Sequence, residues 1–309
     1  MSLNKPAFAW LNGEVVPWDK CVIHARSQTA FWGANVFEGI RVYWQEDNQQ
    51  MFIYRLTDHL RRLRESMKCI DMPVSYSDEE ITQGCLQVIK SNHFREDIHI
   101  VIVAGFGFGH NFDSLGYTAD TLTHITALPM PRSPRYEQGA HAAITSWRRI
   151  SDECMPPRIK TGANYHNSRL AQHEVQQNGF DTAIFLNQRG TVAEAPGSCV
   201  AMVHKGTLAT PPGSSGVLEG ITLDSLQRLA QTEFGLCFEK REIDRTEMYL
   251  ADEVFLCGTL AEIQPVISLD RKKIGCGGAG PITRQLQYSY EKEVRSAPTH
   301  HYSLPVYVK

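Results

Sequence analysis

Three prolines fall within residues 129–134, near the middle of this 309-residue chain. Proline fixes φ and removes a backbone donor, so this stretch predicts a stiff connector rather than a helix or a strand. We therefore expect a small α/β domain over residues 1–128, a linker over 129–137 and a larger domain over 138–309. Each half is long enough to bury a core of its own.

Periodic apolar patterns and turn residues predict more strands than helices. In the first half they predict a hairpin over 8–16 that turns at Asn12-Gly13, a helix over 56–70, a second helix opened by the capping box of Ser77 and Glu80, and strands over 98–103 and 121–126. In the second half they predict strands over 142–147, 182–186, 200–203, 236–243 and 252–257, and helices that end at Gly179, are capped by Thr222 or begin at Pro281. Because crossover helices are too few for a doubly wound sheet, the predicted fold class is α+β with mixed, mainly antiparallel sheets.

Composition excludes several classes of protein. A net charge of -3 gives no electrostatic footprint for nucleic acid or for an anionic membrane. No apolar run approaches the ~18 residues that span a bilayer, and residues 1–13 lack a secretion signal, so we expect a cytoplasmic protein. The eight cysteines form no C-x-x-C pair and the twelve histidines no H-E-x-x-H motif, so neither a metal site nor a disulfide framework is expected.

Lys160 opens the segment Lys160-Thr161-Gly162-Ala163-Asn164-Tyr165, which leads into a helical pattern. Lysine forms imines with aldehydes, and burial at the end of an element makes its neutral amine available. Tyr165 would bring an aromatic hydroxyl close to that amine. A surface lysine before a helix is the simpler interpretation of Lys160 taken alone, so the accompanying motifs have to decide between the two.

Three further features indicate a phosphorylated cofactor. The first is the loop 216–222 before a helix, which contains Leu218, Ile221 and Thr222. The first N–H groups of such a helix can bind an anion, although a loop followed by a threonine cap is an equally good interpretation. The others are the strand end Cys257-Gly258-Thr259 and Arg55, whose guanidinium could bind phosphate unless it is simply solvated.

Glu194 ends a predicted strand among apolar neighbours, in Thr191-Val192-Ala193-Glu194-Ala195-Pro196-Gly197. A buried carboxylate needs a partner. A protonated pyridine nitrogen would be such a partner, and the pairing would make the ring an electron sink. The alternative is a solvated glutamate on an edge strand.

Taken together, these motifs resemble the fold-type IV pyridoxal-phosphate enzymes, and most closely the branched-chain amino acid aminotransferases. The segments that carry the resemblance follow the family's order between residues 8 and 295, and are 32–41, Arg55 with His59 and 62–63, 107–109, 146–149, 160–165, 194–197, 220–222, 252–255 and 258–263. The resemblance implies a small α/β domain and a larger pseudo-barrel domain with pyridoxal 5'-phosphate between them. It also implies a homodimer in which each site receives the loop 105–112 of the partner subunit.

Carried over residue by residue, the resemblance implies that Lys160 is joined to the cofactor and then moves the substrate proton as a base. Glu194 would bind the pyridine N–H. The other cofactor-binding residues are expected to be Arg55, Tyr165, Leu218, Ile221, Thr222 and Thr259. The expected substrate-binding residues are Trp32, Phe37, Thr259 and Leu260. The implied substrates are small amino acids and 2-keto acids.

The chain departs from the family on the substrate side. Branched-chain enzymes usually carry Tyr-x-Arg on the strand that here reads Glu96-Asp97-Ile98, and that arginine binds the distal carboxylate of glutamate. Neither residue is present, and His99 and His110 are candidates to replace the arginine. Three other positions differ from the usual residues, namely Pro196, Cys199 and Leu260. These changes favour an atypical amino or keto acid as substrate.

A transaminase of L-amino acids is the leading hypothesis. The alternatives within the superfamily are a lyase similar to aminodeoxychorismate lyase and a transaminase of D-amino acids or (R)-amines, and residues 37–41 favour the branched-chain group over both. A different class is a non-catalytic protein that keeps the fold and binds phosphate or the cofactor. The presence of both Lys160 and Glu194 argues against that class.

Overall fold

A computed structural model describes residues 5–109, 116–295 and 302–307 of the chain. It divides the chain into two compact units, and each unit draws on separate stretches of sequence. The first comprises Met1–Pro131, Ile159–Ala163 and Val294–Lys309, and the second Arg132–Arg158 and Asn164–Glu293. No helix in the described part of the chain is long and apolar enough to cross a membrane.

The strands are β1 (Phe8–Leu11), β2 (Glu14–Pro17), β3 (Asn35–Gln45), β4 (Gln50–Tyr54), β5 (Ile98–Phe106), β6 (Thr121–Pro129), β7 (Ala140–Arg148), β8 (Thr182–Leu186), β9 (Cys199–His204), β10 (Thr207–Thr210), β11 (Cys237–Lys240), β12 (Glu253–Gly258), β13 (Glu262–Leu269), β14 (Lys272–Lys273) and β15 (Ser303–Pro305). The helices are α1 (Gln28–Trp32), α2 (Leu56–Cys69), α3 (Asp78–Ser91), α4 (Arg135–Gln138), α5 (Tyr165–Gln177), α6 (Ile221–Phe234), α7 (Arg245–Leu250) and α8 (Pro281–Arg295).

The first unit is built on a sheet with the strand order β15-β4-β3-β5-β6-β1-β2, in which all neighbours are antiparallel. Every second residue of β3 and β5, such as Val36, Ile40 and Ile100, joins the buried core that α2 and α3 cover. The residues between them, such as Phe37 and Arg41, therefore lie on the opposite face of the sheet.

Residues Ile159–Ala163 extend this sheet at an edge that β4 leaves open. β4 pairs with β3 only from Val42 onward. At the other end of β3, Val36 bridges to Thr161, and the Phe37 N–H donates to the Lys160 carbonyl at 2.9 Å. The backbone of Lys160 is therefore fixed as part of the sheet.

The second unit holds a sheet with the order β11-β10-β9-β12-β13-β7-β8, and β14 pairs with β13. The pairs β10/β11, β13/β7 and β7/β8 are parallel, and those between β9, β10, β12 and β13 are antiparallel. On one face α5 packs against β7 and β8, where Ala171 and Phe185 are fully buried. The mixed sheets of the predicted α+β fold are confirmed.

Local sequence signals set several element boundaries. The hairpin turns at Asn12 and Gly13, both with positive φ, as an Asn-Gly pair favours. The predicted capping box is formed, because Ser77 Oγ accepts from the Glu80 N–H and the Glu80 carboxylate accepts from the Ser77 N–H.

The predicted cap of α6 was wrong by two positions. The helix begins at Ile221, and Gly220 is its N-cap with extended backbone angles. The Gly220 carbonyl already accepts the first helical hydrogen bond from the Asp224 N–H. A glycine can fill this position without a side-chain cap, so Thr222 lies inside the first turn and is buried.

Candidate active site

Lys160 is half-buried in the first unit, and its main chain is held at both ends. Its N–H donates to Ser66 Oγ at 3.1 Å, while its carbonyl accepts from β3. Its Nζ lies 4.9 Å from the centroid of the Phe37 ring. The amine and the ring therefore share the face of the sheet that is opposite α2 and α3, which is where a reacting lysine would meet a small substrate.

Arg55 joins β4 to α2 in the left-handed conformation, with φ of +53°. It is buried, its Nε donates to Asp58 Oδ2 at 2.6 Å, and its guanidinium lies 5.6 Å from the Tyr302 ring centroid. The alternative of a solvated arginine is therefore excluded. The guanidinium is therefore held in a fixed position where β4 meets α2.

Glu38 forms a buried ion cluster with two residues of α2. Arg62 donates to both of its oxygens at 2.7 Å, and His59 Nδ1 lies 2.7 Å from Oε2. Burial would raise the pKa of Glu38, but the hydrogen bonds and charges of Arg62 and His59 lower it to about 2. Burial also lowers the pKa of His59, which favours the neutral ring.

Glu194 is buried in the second unit with a partner that the sequence argument did not name. Arg149 Nη2 donates to Glu194 Oε1 at 2.7 Å, and the Leu218 N–H donates to Oε2 at 2.9 Å. The guanidinium stabilises the ionised carboxylate without any cofactor. Arg149 belongs to the segment 146–149, which contributed to the family resemblance. Its pairing with Glu194 could be recognised only from the structure.

Three loops of the second unit meet around this carboxylate. Cys199 faces Cys257 across the pair β9/β12, and its Sγ lies 3.6 Å from the Leu218 carbonyl. A Cβ on Gly220 would lie 2.5 Å from Cys199 Sγ, and a Cβ on Gly258 would lie 3.3 Å from the Gly197 carbonyl. The approach at Gly220 leaves no room for a Cβ unless Cys199 shifts, whereas at Gly258 the Gly197 carbonyl would have to move by only a few tenths of an ångström.

The predicted cofactor-binding residues of the second unit therefore lie on converging loops. Thr222 is buried in the first turn of α6 and Ile221 begins that helix, while Thr259 follows Gly258 at the end of β12. The helix start and the hydroxyl-bearing turn are held near the Glu194 loop by the contacts of Leu218 and Cys199. The buried carboxylate of Glu194 and the N-terminus of α6 therefore lie on loops that contact one another, and we call these loops the Glu194 cluster.

The remaining predicted residues differ in exposure. Tyr165 is half-buried at the start of α5, whereas Leu260 is 42% exposed at the turn after β12. Trp32 is 48% exposed at the end of α1. Of the predicted partner loop 105–112, residues 110–112 lie outside the described residues, and so does His110.

His99 is the candidate replacement for the missing arginine, and it lies on the Phe37 face of the sheet. It pairs directly with Arg41 across β3 and β5. Its ring covers Gly39, where a Cβ would lie 2.5 Å from His99 Nε2. Burial, followed by the charges of Arg41 and Lys160, lowers the pKa of His99 to about 4, so the ring is neutral near pH 7.

The model of the protein family described as amino-transferase class IV matches residues 35–269 of the chain. This match covers more than two thirds of the sequence and includes Lys160 and Glu194. The chain belongs to the class IV aminotransferase family.

Within this family, the chain is similar to several proteins that are named as branched-chain amino acid aminotransferases. The chain is 37% identical over 293 residues to the probable branched-chain-amino-acid aminotransferase of Aquifex aeolicus (strain VF5), which covers 93% of this chain and 92% of the relative. Its fold is similar to the branched-chain amino acid aminotransferase of Thermobaculum terrenum in its PLP-form, with a TM-score of 0.92, 42% identity and coverage of 98% and 99%. It is also similar to the branched-chain amino acid aminotransferase of Escherichia coli, with a TM-score of 0.93, 32% identity and coverage of 98% and 100%. The predicted resemblance and fold type are confirmed.

Proposed function

We propose that the chain binds pyridoxal phosphate through the residues described above and moves an amino group between an amino acid and a 2-keto acid. The Glu194 cluster of the second unit is the observation that supports this assignment of residues. In it, a buried, arginine-paired carboxylate and a helix N-terminus lie on loops that contact one another. Pyridoxal phosphate needs these two features, an anion for its ring nitrogen and N–H donors for its phosphate.

Each residue then has a defined task. When bound, the cofactor supplies an aldehyde that condenses with amines and a ring that accepts electron density. Glu194 would bind the N–H of the ring nitrogen, and Arg149 orients the carboxylate through its contact with Oε1. In the second unit, the amides of Ile221 and Thr222 and the Thr259 hydroxyl would bind phosphate. In the first unit, Arg55 is the residue proposed to bind phosphate.

Lys160 has two tasks, covalent attachment of the cofactor and proton transfer. With the cofactor bound, Lys160 Nζ would hold it covalently and would serve as the base that moves a proton from the substrate Cα. The main chain of Lys160 is hydrogen-bonded to Ser66 and to β3, so the Lys160 side chain moves relative to a fixed main chain.

The substrate side chain is proposed to be aliphatic and branched. Phe37 and the half-buried Val101 and Val103 form an apolar surface on the face that carries Lys160. The named activity of the relatives supports this class of substrate. Trp32 would close the pocket, and the Thr259 and Leu260 amides would bind the carboxylate beside the reacting carbon.

We further propose a homodimer in the cytoplasm. Phe31 and Trp32 are adjacent, half-exposed aromatic side chains, and a large exposed apolar pair favours an interface. All eight cysteines are free thiols, which fits a reducing compartment. Light scattering would test the dimer.

The direct test replaces Lys160 with alanine in the cofactor-loaded protein. We expect Lys160→Ala to lose the visible absorption of lysine-bound cofactor and at least about 10⁴-fold in turnover, since it loses both attachment and base. Lys68→Ala, on the exposed side of α2, is the matched control and should retain both. A Lys160→Ala protein with full turnover would contradict the proposal.

A panel of amino acids then identifies the substrate. Stopped-flow loss of the visible band should be fastest with L-leucine, L-isoleucine or L-valine and slower by at least about tenfold with D-amino acids and (R)-amines. Release of pyruvate without any amino acceptor would instead indicate the lyase activity considered from the sequence.

A further inference from the structure

The turn formed by residues 259–261 joins β12 to β13 and is followed by a residue with strained backbone angles. Gly258 pairs with Glu262 at the base of this turn. Glu262 has a φ of +50°, in the left-handed region that a residue with a side chain enters at a cost. Nine described residues other than glycine have a positive φ, and within this group only Arg55 and Glu262 are buried. Arg55 and the turn residue Thr259 are both proposed above to bind phosphate, so each buried, strained position belongs to a proposed phosphate-binding element.

An ion pair holds Glu262 at the base of the turn. Glu262 is 1% exposed, and Arg132 donates to both of its oxygens, from Nε to Oε2 at 2.6 Å and from Nη2 to Oε1 at 3.0 Å. Such a two-point pairing fixes the orientation of a carboxylate as well as its position. Arg132 also donates to Glu291 of α8, and its guanidinium lies 4.2 Å from the centroid of the Tyr136 ring. The cation that anchors Glu262 is therefore itself held by two other elements.

The residue after Glu262 is held through the same network. Gln287 Nε2 donates to the Ile263 carbonyl at 3.0 Å and to the Tyr136 carbonyl at 2.8 Å, while Tyr136 Oη donates to the Gln287 carbonyl at 3.2 Å. These contacts join the start of β13 to α4 and α8. The turn itself is accessible, with Leu260 42% exposed. The start of β13 is therefore fixed by side chains, whereas the turn that precedes it is open to a ligand.

We propose that Glu262 and Arg132 are positioning residues, which hold the turn 259–261 in the conformation that binds the cofactor phosphate. The proposal rests on the function proposed above, in which Thr259 donates to that phosphate. Both residues act through the main chain of the turn, because the φ of Glu262 sets the direction in which the chain leaves it. A strained residue keeps its conformation only while its surroundings enforce it, so loss of the ion pair would let the turn relax. An ion pair that only joined α4 to β13 would not require a left-handed residue at position 262.

The experiment compares two aldehydes that differ in the phosphate. 5'-Deoxypyridoxal has the ring and the aldehyde of pyridoxal phosphate and lacks the phosphate group. Absorbance titration of the full-length protein, freed of cofactor, gives the dissociation constant of each, and the ratio of the two constants measures what the phosphate site contributes. We expect the wild-type protein to prefer pyridoxal phosphate by at least about 100-fold, since several hydrogen bonds to a charged group contribute. A variant with a general defect in folding binds both aldehydes more weakly and keeps this ratio.

The first variant removes the charge of the anchor. Glu262→Gln should reduce the preference for pyridoxal phosphate by about 10- to 150-fold, the equivalent of one hydrogen bond to a charged group, while binding of 5'-deoxypyridoxal changes by less than about threefold. Glu291→Gln is the matched control, because it also removes a carboxylate from Arg132 but lies on α8 rather than next to the turn. It should retain the wild-type preference. An unchanged preference in a folded Glu262→Gln protein, or an equal loss in Glu291→Gln, would overturn the proposal.

Two further variants decide the matter if Glu262→Gln does not fold. Glu262→Gly permits the positive φ without strain but removes the anchor, so it should lose the preference as well. Arg132→Gln removes the cation, which is partly exposed, and should reduce the preference by a similar factor. The wild-type preference in either folded variant would contradict the proposal. Where both single variants fold, the double variant Glu262→Gln/Arg132→Gln should lose no more than the larger single loss, and additive losses would show that the two residues do not act as a pair.

The two proposals fail in different ways. If the wild-type protein binds pyridoxal phosphate and 5'-deoxypyridoxal equally well, the proposed phosphate site is wrong and the positioning role fails with it. If the wild-type protein prefers pyridoxal phosphate and the variants keep that preference, the proposed function stands and only the role of Glu262 and Arg132 is wrong.

Discussion

Glu38 and Glu194 are two buried carboxylates, each paired with an arginine, and they occupy different settings. Glu38 is fully buried on the helix side of the first sheet, where Arg62 binds both oxygens and His59 contacts one of them. Glu194 is 6% exposed and is held by one arginine nitrogen and one backbone N–H. Burial and an arginine partner therefore do not by themselves identify a catalytic carboxylate.

The residues that surround each carboxylate distinguish Glu38 from Glu194. Glu38 lies beside Val36 and Ile40 in an apolar core, so its role is to hold α2 against β3. Glu194 lies beside loops that glycines allow to approach closely, next to the start of α6. The first arrangement stabilises the fold, and the second can receive a ligand.

The largest expected effect is on activity when Glu194 is changed. Glu194→Gln keeps the shape but cannot hold a proton on the ring nitrogen, so turnover should fall by about 10²–10⁴-fold. Thermal unfolding of the cofactor-free protein should change far less than turnover does. Glu242→Gln, an exposed carboxylate in an ion pair, is the control and should retain activity.

The matching change in the first unit should affect stability. Glu38→Gln leaves the partly buried Arg62 without its counter-charge inside the protein and should lower the free energy of unfolding by about 3 kcal/mol. Urea unfolding measures this loss, and Glu65→Gln on the exposed side of α2 is the control. If Glu38→Gln were as stable as the control, the distinction between the two carboxylates would be lost.

The pH dependence of stability should have a defined sign. The folded pKa of Glu38 is about 2, below its ordinary value, so its contribution is present above about pH 4.5 and is lost as the pH falls towards 2. His99 has a folded pKa of about 4, so the unfolded chain takes up its proton first as the pH falls below about 6.5.

Between pH 7 and pH 4.5, His99 alone should therefore lower the free energy of unfolding by about 2–3 kcal/mol. Urea unfolding at the two pH values should show this decrease in the wild-type protein and a smaller one in His99→Gln. An equal decrease in both proteins would contradict the assignment to His99.

The smallest expected effect serves as a reference for the others. Ser77→Ala removes the cap of α3, which lies in neither carboxylate cluster, and should cost about 1 kcal/mol of stability with unchanged turnover. Urea unfolding and steady-state turnover of the same preparation measure both. A loss of turnover as large as that of Glu194→Gln would show that stability and activity are not separable here.

Local patterns were sufficient to predict most elements of the fold. The Asn12-Gly13 turn and the Ser77 capping box depend on neighbouring residues, so the sequence carried them directly. The cap of α6 was misjudged because threonine and glycine rank about equally as N-caps, so residue type alone could not distinguish Gly220 from Thr222, two positions further on.

Contacts between distant residues could not be predicted in the same way. The return of Ile159–Ala163 to the edge of β3 depends on β4 pairing only from Val42, which no local pattern reports. The pairing of Arg149 with Glu194 and that of Arg132 with Glu262 likewise depend on tertiary packing. The residue types of the site were readable from the sequence, whereas their partners required the structure.

The central claim is that Lys160 is the lysine that carries the cofactor. Borohydride reduction of the loaded enzyme, followed by proteolysis and mass spectrometry, would fix the pyridoxyl group on the lysine that holds it. We predict a single modified peptide with the added mass on Lys160. Modification of another lysine, with Lys160 unlabelled, would contradict the account.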